Sequence, residues 1–211
     1  MCAGAAPVVA GGMICSFITT MSSRDRCNSS DQDTNSAGCA TDSGSLGAQY
    51  DALRLPVAVL LDNIRSMYNV GAFFRVADGV GLERLCLCGI TAHPPKNAIT
   101  KTALGAEKTV EWEHDWDAVK MAERLRASGY ELVAIETSRE AVDLFEWQPR
   151  FPLCVAFGNE VEGLHPKLLE MATSHVRIPM FGHKKSLNVA TAGGVVLYEL
   201  LRKYRAMNIP R

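Results

Sequence analysis

The sequence predicts an α/β fold, namely a parallel sheet with helices on both faces. Apolar runs suited to strands alternate with amphipathic stretches suited to helices, which is typical of parallel sheets. The first apolar run, Pro56–Asp62, is nearly unbroken, as expected of a strand that is buried on both faces. Polar and glycine-containing clusters follow several of these runs, at the strand ends where open α/β sheets bind ligands.

Residues 1–50 are predicted to be a disordered N-terminal extension, and residues 51–211 to form one domain. The segment 22–49 is rich in Ser, Asp, Asn, Thr and Gly and has hardly any large apolar residue. Such a segment cannot bury enough surface to offset the entropy cost of ordering it. The apolar stretch 5–20 follows no Lys or Arg, which disfavours a secretory signal peptide, and it is too interrupted for a membrane span.

Cysteine usage and charge narrow the class of protein. The seven cysteines have no framework spacing, and no pair has the spacing of zinc ligands. We therefore expect a reduced, cytoplasmic protein without a metal site. The formal net charge of −1 gives no overall sign of a polyanionic partner. The segment 164–211, however, has eight Lys and Arg against two Asp and Glu, a distribution suited to a phosphate backbone.

Five strands and four helices are predicted within the domain. The strands are Pro56–Asp62, Arg84–Gly89, Glu131–Glu136, Leu153–Phe157 and Ser174–Pro179. The helices are Val70–Gly81, Trp116–Ser128, His165–Thr173 and Ser186–Arg205. Residues 90–102, which contain Pro94-Pro95, are predicted to be a loop.

The last helix has two notable features. Ser186 is suited to cap its N-terminus, because a serine hydroxyl accepts a hydrogen bond from a free backbone N–H. The adjacent Gly193 and Gly194 each cost about 1 kcal/mol relative to Ala in a helix interior. Their presence predicts that a neighbouring element packs very close to this helix.

Three polar motifs each follow a predicted strand. The first is Asn69-x-Gly-x-x-x-Arg75, the second is Gly158-x-Glu-x-x-Gly163, and the third is Ser186-Leu-Asn-Val189. No Gly-x-Gly-x-x-Gly follows the first strand and no Walker-type loop is present, which disfavours dinucleotide and P-loop nucleotide sites.

In this order the three motifs resemble those of the SPOUT methyltransferases, specifically the SpoU/TrmH family, which methylates ribose 2′-hydroxyls in tRNA and rRNA. The resemblance covers about residues 55–205. It implies S-adenosylmethionine as the cofactor and a homodimer whose active site forms where two chains meet. It also implies a deep trefoil knot, an exception to the rule that chain connections do not thread through loops.

The resemblance also implies residue roles. Arg75 matches the family's catalytic arginine, and Asn69 and Glu160 match the residues that orient it. Ser186 and Asn188 match the pair that holds the RNA phosphate and the arginine. Arg75 would either take the proton of the 2′-hydroxyl, which a pKa above about 12 makes awkward, or hold the developing oxyanion by a charge-assisted hydrogen bond. Both roles stay open.

The family's cofactor is held largely by backbone groups. The matching positions are Gly158, Ile178 and Leu187, with Met180, Glu136 and Thr137 as further candidates. Candidates for RNA phosphate contacts are Arg65, Lys101, Lys184 and Lys185, and also Lys96 and His183. Aromatic residues do not alternate with the basic ones, so no platform for stacking bases is predicted.

An RNA 2′-O-methyltransferase is the leading hypothesis, and two alternatives remain open. One is a catalytically inactive RNA-binding or assembly factor on the same fold. The other is a methyltransferase that acts on a base or a protein and has a related knotted fold. Because residues 1–50 are expected to be disordered rather than a folded RNA-binding domain, tRNA is slightly favoured over rRNA as substrate.

Overall fold

A computed structural model describes residues 54–138 and 140–208, which contain a sheet of seven parallel strands. The strands are β1 Leu55–Asp62, β2 Leu82–Cys88, β3 Trp112–Asp115, β4 Glu131–Ile135, β5 Val142–Asp143, β6 Leu153–Phe157 and β7 Ser174–Arg177. Their order across the sheet is β3-β2-β1-β6-β4-β7-β5. The predicted disordered extension, residues 1–50, lies outside the described residues and stays a prediction.

In the described residues, four α-helices connect strands and a fifth follows the last strand. They are α1 Met67–Val80, α2 Asn97–Ala103, α3 Ala118–Ala127, α4 Pro166–Met171 and α5 Val189–Asn208. Ser66 caps α1, and Gly81 ends it in the left-handed conformation, with φ of 62°. Asp117 caps α3 by accepting from the backbone N–H groups of the first turn. The predicted parallel α/β sheet, its five strands and its four helices are confirmed, with ends that differ by at most three residues.

Two strands and one α-helix were not predicted, nor was the single 3₁₀ turn Ala106–Lys108. The helix α2 lies in the segment expected to be a loop, and only two of its seven residues, Ile99 and Ala103, are buried. The edge strand β3 has four half-buried residues, and β5 has only two residues. Such short segments bury too few side chains to produce a recognisable hydrophobic period.

Helices cover both faces of the sheet, as predicted. On one face, α1, α2 and α5 contribute Phe73, Ile99 and Val196 to the apolar cluster that contains Val59. On the other face, α3 and α4 pack against the alternate residues of the strands, such as Leu60. The buried cysteines Cys86, Cys88 and Cys154 all lie in this second cluster.

Close packing explains one of the two adjacent glycines of α5. A Cβ atom placed on Gly193 would collide with the ring of Phe73 on α1. At Gly194 the nearest atom, Val76 Cγ2, is 3.9 Å away, which is ordinary contact. The close approach that the sequence predicts is therefore confirmed at Gly193, and the neighbour is a helix of the same chain.

Within residues 54–138 and 140–208, no helix has both the length and the apolar character needed to cross a bilayer. The same stretch holds no group of three or more His, Cys, Asp or Glu side chains placed to bind a metal ion.

Candidate active site

The three motifs meet at the carboxyl edge of the central strands. Leu61 of β1 pairs with Phe157 of β6, and Phe157 also pairs with Ile135 of β4. Ile135 pairs in turn with Val176 of β7. Four neighbouring strands thus end side by side, and the segments that follow them are brought together although they are far apart in the sequence.

A hydrogen-bonded chain of three side chains joins the motifs. Asn69, in the first turn of α1, donates through Nδ2 to Glu160 Oε1 at 2.9 Å. The Oδ1 atom of Asn69 accepts from Asn188 Nδ2 at 3.2 Å. Each motif contributes one member of this chain, so the structure brings together three of the five residues predicted to be catalytic.

The loop of the second motif is held in shape by its own atoms. Asn159 is 5% exposed, and its Oδ1 accepts from the backbone N–H groups of Val161 at 2.8 Å and Glu162 at 3.2 Å. Its backbone exchanges two hydrogen bonds with Gly163, at 3.0 and 2.9 Å. A Cβ atom on Gly158 would collide with the backbone of Gly163, so this turn requires glycine there. The loop presents Glu160 to Asn69 in one defined position.

Asn63, just after β1, connects the second-motif loop to the neighbouring strand end. Its backbone oxygen accepts from Asn159 Nδ2 at 2.9 Å, and its Oδ1 accepts from the backbone N–H of Ile90 at 3.1 Å. Asn63 has a φ of 57°, a conformation that asparagine tolerates better than most residues. The segments after β1, β2 and β6 are therefore linked by side-chain hydrogen bonds.

Asp62 is a supporting residue to which no role had been assigned. It is 2% exposed at the end of β1, where it accepts from the backbone N–H of His165 at 2.9 Å and from Asn63 Nδ2 at 2.8 Å. Burial raises the pKa of the Asp62 carboxyl, and the hydrogen bond from His165 opposes this shift. An acidic residue at the end of an otherwise apolar strand was the available signal in the sequence.

The third motif corrects the predicted start of α5. The helix begins at Val189, and Asn188 is its cap: Asn188 Oδ1 accepts from the backbone N–H groups of Ala190 at 2.9 Å and Thr191 at 3.4 Å. Ser186 is exposed, and no hydrogen bond of its side chain is found among the described residues. Asn188 satisfies the free N–H groups of the helix directly, so the predicted capping role of Ser186 is wrong.

Arg75 lies on α1 apart from this chain of side chains. It is exposed, and among the described residues it forms no ion pair. Residues six apart on a helix point about 120° away from each other, so Arg75 and Asn69 occupy different sides of α1. Gly71, between them, lies where α2 crosses α1, because a Cβ atom there would collide with Thr102 Oγ1. Asn69 is hydrogen-bonded to both Glu160 and Asn188, and among the described residues no hydrogen bond or ion pair joins Arg75 to Asn69 or Glu160.

The predicted cofactor residues lie along the ends of β6, β4 and β7. Gly158 follows β6, Ile178 follows β7, and both are half-buried. The segment 179–187, which contains Met180 and Leu187, has no backbone partner for its N–H and C=O groups among the described residues. These free backbone groups suit recognition of a ligand by the main chain.

Glu136 and Thr137, the other cofactor candidates, follow β4. The carboxylate of Glu136 contacts His175 Nδ1 at 2.6 Å, and His175 Nε2 contacts the backbone oxygen of Leu169 at 3.1 Å. The side chain of Glu136 is therefore bound to β7, whereas Thr137 is exposed. The pairing of Glu136 with His175 had no signal in the sequence, because it depends on β4 and β7 being neighbours.

The predicted RNA-contacting residues are all exposed. Arg65 forms an ion pair with Glu162 at 3.7 Å, a surface contact worth about 1 kcal/mol or less. Lys101 lies on α2, which packs against α1. Lys184 and Lys185 lie in the segment just before α5, as does His183. These positions flank the N-termini of α1 and α5, and their predicted role stays a prediction.

Comparison with known proteins places these features in a family. The sequence pattern of the SpoU rRNA Methylase family matches residues 56–198. A tRNA (guanosine(18)-2′-O)-methyltransferase of Aquifex aeolicus is 33% identical over 146 residues, which are 69% of this chain and 68% of the relative. A 23S rRNA (guanosine-2′-O-)-methyltransferase RlmB of Shewanella oneidensis is 32% identical over 158 residues, 72% of this chain and 61% of the relative. The chain thus spans about two thirds of the length of these curated relatives.

A solved structure supports the same assignment. The SpoU methyltransferase AviRb from Streptomyces viridochromogenes, in complex with the cofactor AdoMet, aligns with a TM-score of 0.65 and 27% identity. The alignment covers 74% of this chain and 63% of AviRb. The family pattern extends from β1 into α5 and includes all three motifs. From its motifs, its fold and these similarities, the chain belongs to the SpoU rRNA Methylase family.

Proposed function

We propose that this protein transfers a methyl group from S-adenosylmethionine to a ribose 2′-hydroxyl of tRNA or rRNA. The observation that carries the proposal is the hydrogen-bonded chain Glu160–Asn69–Asn188, which joins the three motifs at the carboxyl edge of the sheet. Membership of the SpoU family and relatives named as 2′-O-methyltransferases of tRNA and 23S rRNA support it.

The proposed cofactor fits the ends of β6 and β7. When bound, S-adenosylmethionine supplies an activated methyl group. The free backbone groups of residues 179–187 would recognise its polar atoms, and Gly158 adds no side chain at the same edge. The apolar side chains of Ile178, Met180 and Leu187 would contact its hydrophobic parts. Glu136 is assigned a weaker role, because His175 already binds its carboxylate.

Arg75 is proposed to stabilise the oxygen that attacks the methyl group. A guanidinium keeps its proton in proteins, so it suits a charge-assisted hydrogen bond to a developing oxyanion better than proton removal. Arg75 is exposed and forms no ion pair among the described residues, which leaves its charge available for substrate. Ser186, Lys184 and Lys185 would hold the adjoining phosphate from the segment before α5.

A homodimer and a knotted chain belong to the same proposal. The exposed side of α1 that bears Arg75 is distinct from the side that bears Asn69, as expected if a second copy completes the site. The threaded C-terminal segment is proposed on the family resemblance. A cytoplasmic location is proposed on cysteine usage, because the seven cysteines have no framework spacing. Sedimentation of the full chain at several concentrations would test the dimer.

The deciding experiment measures transfer of a labelled methyl group from S-adenosylmethionine to total tRNA and rRNA. Arg75→Ala should lower kcat by about 10²- to 10³-fold, as expected for loss of one donor to an oxyanion. Arg126→Ala removes an exposed arginine from α3, on the opposite face of the sheet, and serves as the control. Equal transfer by wild type and Arg75→Ala would contradict the role of Arg75.

Analysis of the product separates the proposed reaction from its alternatives. Nuclease digestion and mass spectrometry should locate the new methyl group on ribose. A methylated base or protein would overturn the proposed reaction, and cofactor binding without any transfer would favour an inactive RNA-binding factor. Mapping the ribose methylations lost in a deletion strain would identify the nucleotide.

A further inference from the structure

A row of aromatic rings runs from the core to the surface at the edge of the sheet. Phe74 of α1 meets Trp112 of β3 edge to face, with ring centroids 6.5 Å apart. His93 stacks on Trp112 at 5.8 Å and lies 4.7 Å from His114. His114 meets Trp116 edge to face at 5.1 Å. The outermost ring, that of Trp116, is 77% exposed.

The row is not evident in the sequence because three separate segments supply it. Trp112 and His114 alternate along β3 and therefore point to the same face of the sheet, the face that α1 covers. His93 comes from the loop after β2, and Trp116 follows the end of β3. The expectation that this chain has no stacking platform was based on local alternation of residues, which does not consider rings that separate segments bring together.

Charge is divided between the two faces of the edge strand. Glu113 and Asp115 alternate with the rings, and both pair with Arg124 of α3, at 3.0 and 3.6 Å. Glu113 also pairs with Arg84 at 3.7 Å, so both carboxylates lie beside arginines on the α3 face. On the other face, His93 and His114 lie beside the tryptophans, and Lys96 is exposed three residues after His93. The carboxylate of Asp117, next to Trp116, is held at the N-terminus of α3, where its Oδ1 accepts from the backbone N–H groups of Val119 and Lys120. The exposed ring of Trp116 therefore suits stacking of a planar aromatic ligand.

Hydrogen bonds connect the row to the candidate active site. Asn63, which accepts from Asn159 of the second motif, also accepts from the backbone N–H of Ile90. The neighbouring backbone oxygen, that of Gly89, contacts His114 Nε2 at 3.2 Å. Asp62, Cys88 and Asp115 are in register across the three strands. Since adjacent strands are about 4.8 Å apart, the row begins roughly 10 Å from the end of β1.

We propose that Trp116, supported by His114 and His93, is a stacking platform for a nucleobase that flanks the nucleotide to be methylated. The inference rests on the proposed function, because it takes the occupant to be the RNA that the active site modifies. The platform lies on the same carboxyl edge as the motifs and is linked to them by Asn63. Stacking on a ring tolerates any base, so the platform supplies affinity and orientation rather than sequence selection.

The primary test compares Trp116→Ala with wild type in steady-state methyl transfer. The KM for RNA should rise by about 5- to 150-fold, the range expected for loss of one stacked base. The kcat at saturating RNA and the KM for S-adenosylmethionine should stay unchanged. Trp116→Phe, which retains a ring, should recover most of the RNA affinity. Phe145→Ala removes another exposed ring, 54% exposed near β5 at the opposite edge of the sheet, and is the control.

Binding measurements separate this proposal from the proposed reaction. Trp116→Ala should weaken binding of a short single-stranded oligoadenylate and leave binding of an abasic oligomer of equal charge unchanged. This result would support the platform even if the wild type transferred no methyl group. Unchanged oligoadenylate affinity would overturn it, even if transfer is normal. A change in sedimentation behaviour without a change in RNA affinity would make Trp116 a contact between copies of this chain, and would also overturn it.

Discussion

Asn188 donates from Nδ2 to Asn69 Oδ1 at 3.2 Å, across 119 residues of sequence, while its own Oδ1 caps α5. One amide thus starts a helix and links that helix to α1. Asn69 in turn donates through Nδ2 to Glu160, so both the nitrogen and the oxygen of its side-chain amide form hydrogen bonds. These hydrogen bonds determine the orientations of the two amides, because each donates through Nδ2 and accepts through Oδ1.

Replacing Asn188 by Asp should separate the two functions of this residue. Aspartate caps a helix as well as asparagine does and interacts favourably with the helix N-terminus, so the free energy of unfolding should change by less than about 0.5 kcal/mol. It has no donor for Asn69 and places a second carboxylate near Glu160. We therefore expect a loss of methyl transfer of about tenfold or more, equivalent to about 1.4 kcal/mol.

Two further variants at this position serve as controls. Asn188→Ser keeps a capping oxygen without adding charge, so it should also be stable and poorly active. Asn188→Ala removes the cap and should lower the free energy of unfolding by about 1 kcal/mol. Urea unfolding and initial rates would be measured on the same preparations. Full activity of the stable Asp and Ser variants would show that the contact with Asn69 is dispensable.

The sequence predicted where the site lies, because the motifs that form it follow the ends of strands. Each motif follows an apolar run, and the carboxyl ends of parallel strands share one edge. The contact between Asn69 and Asn188 was not predictable, because no local pattern shows that β6 lies between β1 and β4. Ser186 and Asn188 are both suitable caps, and only the tertiary position of Asn69 distinguishes them.

Short, half-buried elements such as α2 and β3 were missed for a related reason. Packing on neighbouring elements, and not a local sequence pattern, gives these segments their helical or strand conformation.

The two adjacent glycines of α5 should respond to substitution in opposite ways. At Gly193 a methyl group would collide with the ring of Phe73, which is fully buried between α1 and β6 and has little freedom to move. We expect Gly193→Ala to destabilise the fold by about 1–3 kcal/mol. At Gly194 the nearest atom is 3.9 Å away, so Ala should be neutral or stabilising by up to about 1 kcal/mol. Thermal or urea unfolding measures both, and equal effects would show that Phe73 does not limit the approach of the helices.

Lys203 holds a turn through a nearly buried ammonium group. It is 6% exposed, and its Nζ donates to the backbone oxygens of Leu144 at 2.8 Å, Phe145 at 3.3 Å and Trp147. Burial lowers the pKa of Lys203, and the nearby carboxylate of Glu199, at 3.6 Å, opposes that shift. Replacing the amine with the thioether of Met would leave these buried carbonyls without a donor.

Lys203→Met should therefore lower the free energy of unfolding by about 2–3 kcal/mol, because unsatisfied buried groups lose the full benefit of their hydrogen bonds. The adjacent Arg202 is the matched control: it pairs with the same Glu199, at 2.7 Å, but its side chain is 65% exposed. Arg202→Met should cost less than about 1 kcal/mol. Similar losses in the two variants would mean that the contacts of Lys203 with the turn contribute little.

The buried thiols should make the fold sensitive to alkaline pH. Burial raises the pKa of Cys86 to about 12, and it also raises the pKa of Cys88 and of the fully buried Cys154. Above the ordinary thiol value of 9.0, the unfolded chain loses these protons while the folded chain keeps them. The unfolded state then binds fewer protons, so the free energy of unfolding falls as pH rises. Each such thiol contributes a slope of about 1.4 kcal/mol per pH unit.

Cys154→Ala removes one of these thiols and should reduce that slope by about 1.4 kcal/mol per pH unit above pH about 9.5, without changing it between pH about 6 and 8. The smaller side chain also leaves a cavity, but its cost is the same at every pH and shifts the whole curve equally. Lys203 and Tyr130 titrate in both proteins and cancel in the difference. Urea unfolding in the presence of a reductant, repeated across this pH range, measures the two curves. Parallel curves up to pH about 10.5 would show that the Cys154 thiol does not keep its proton in the folded protein.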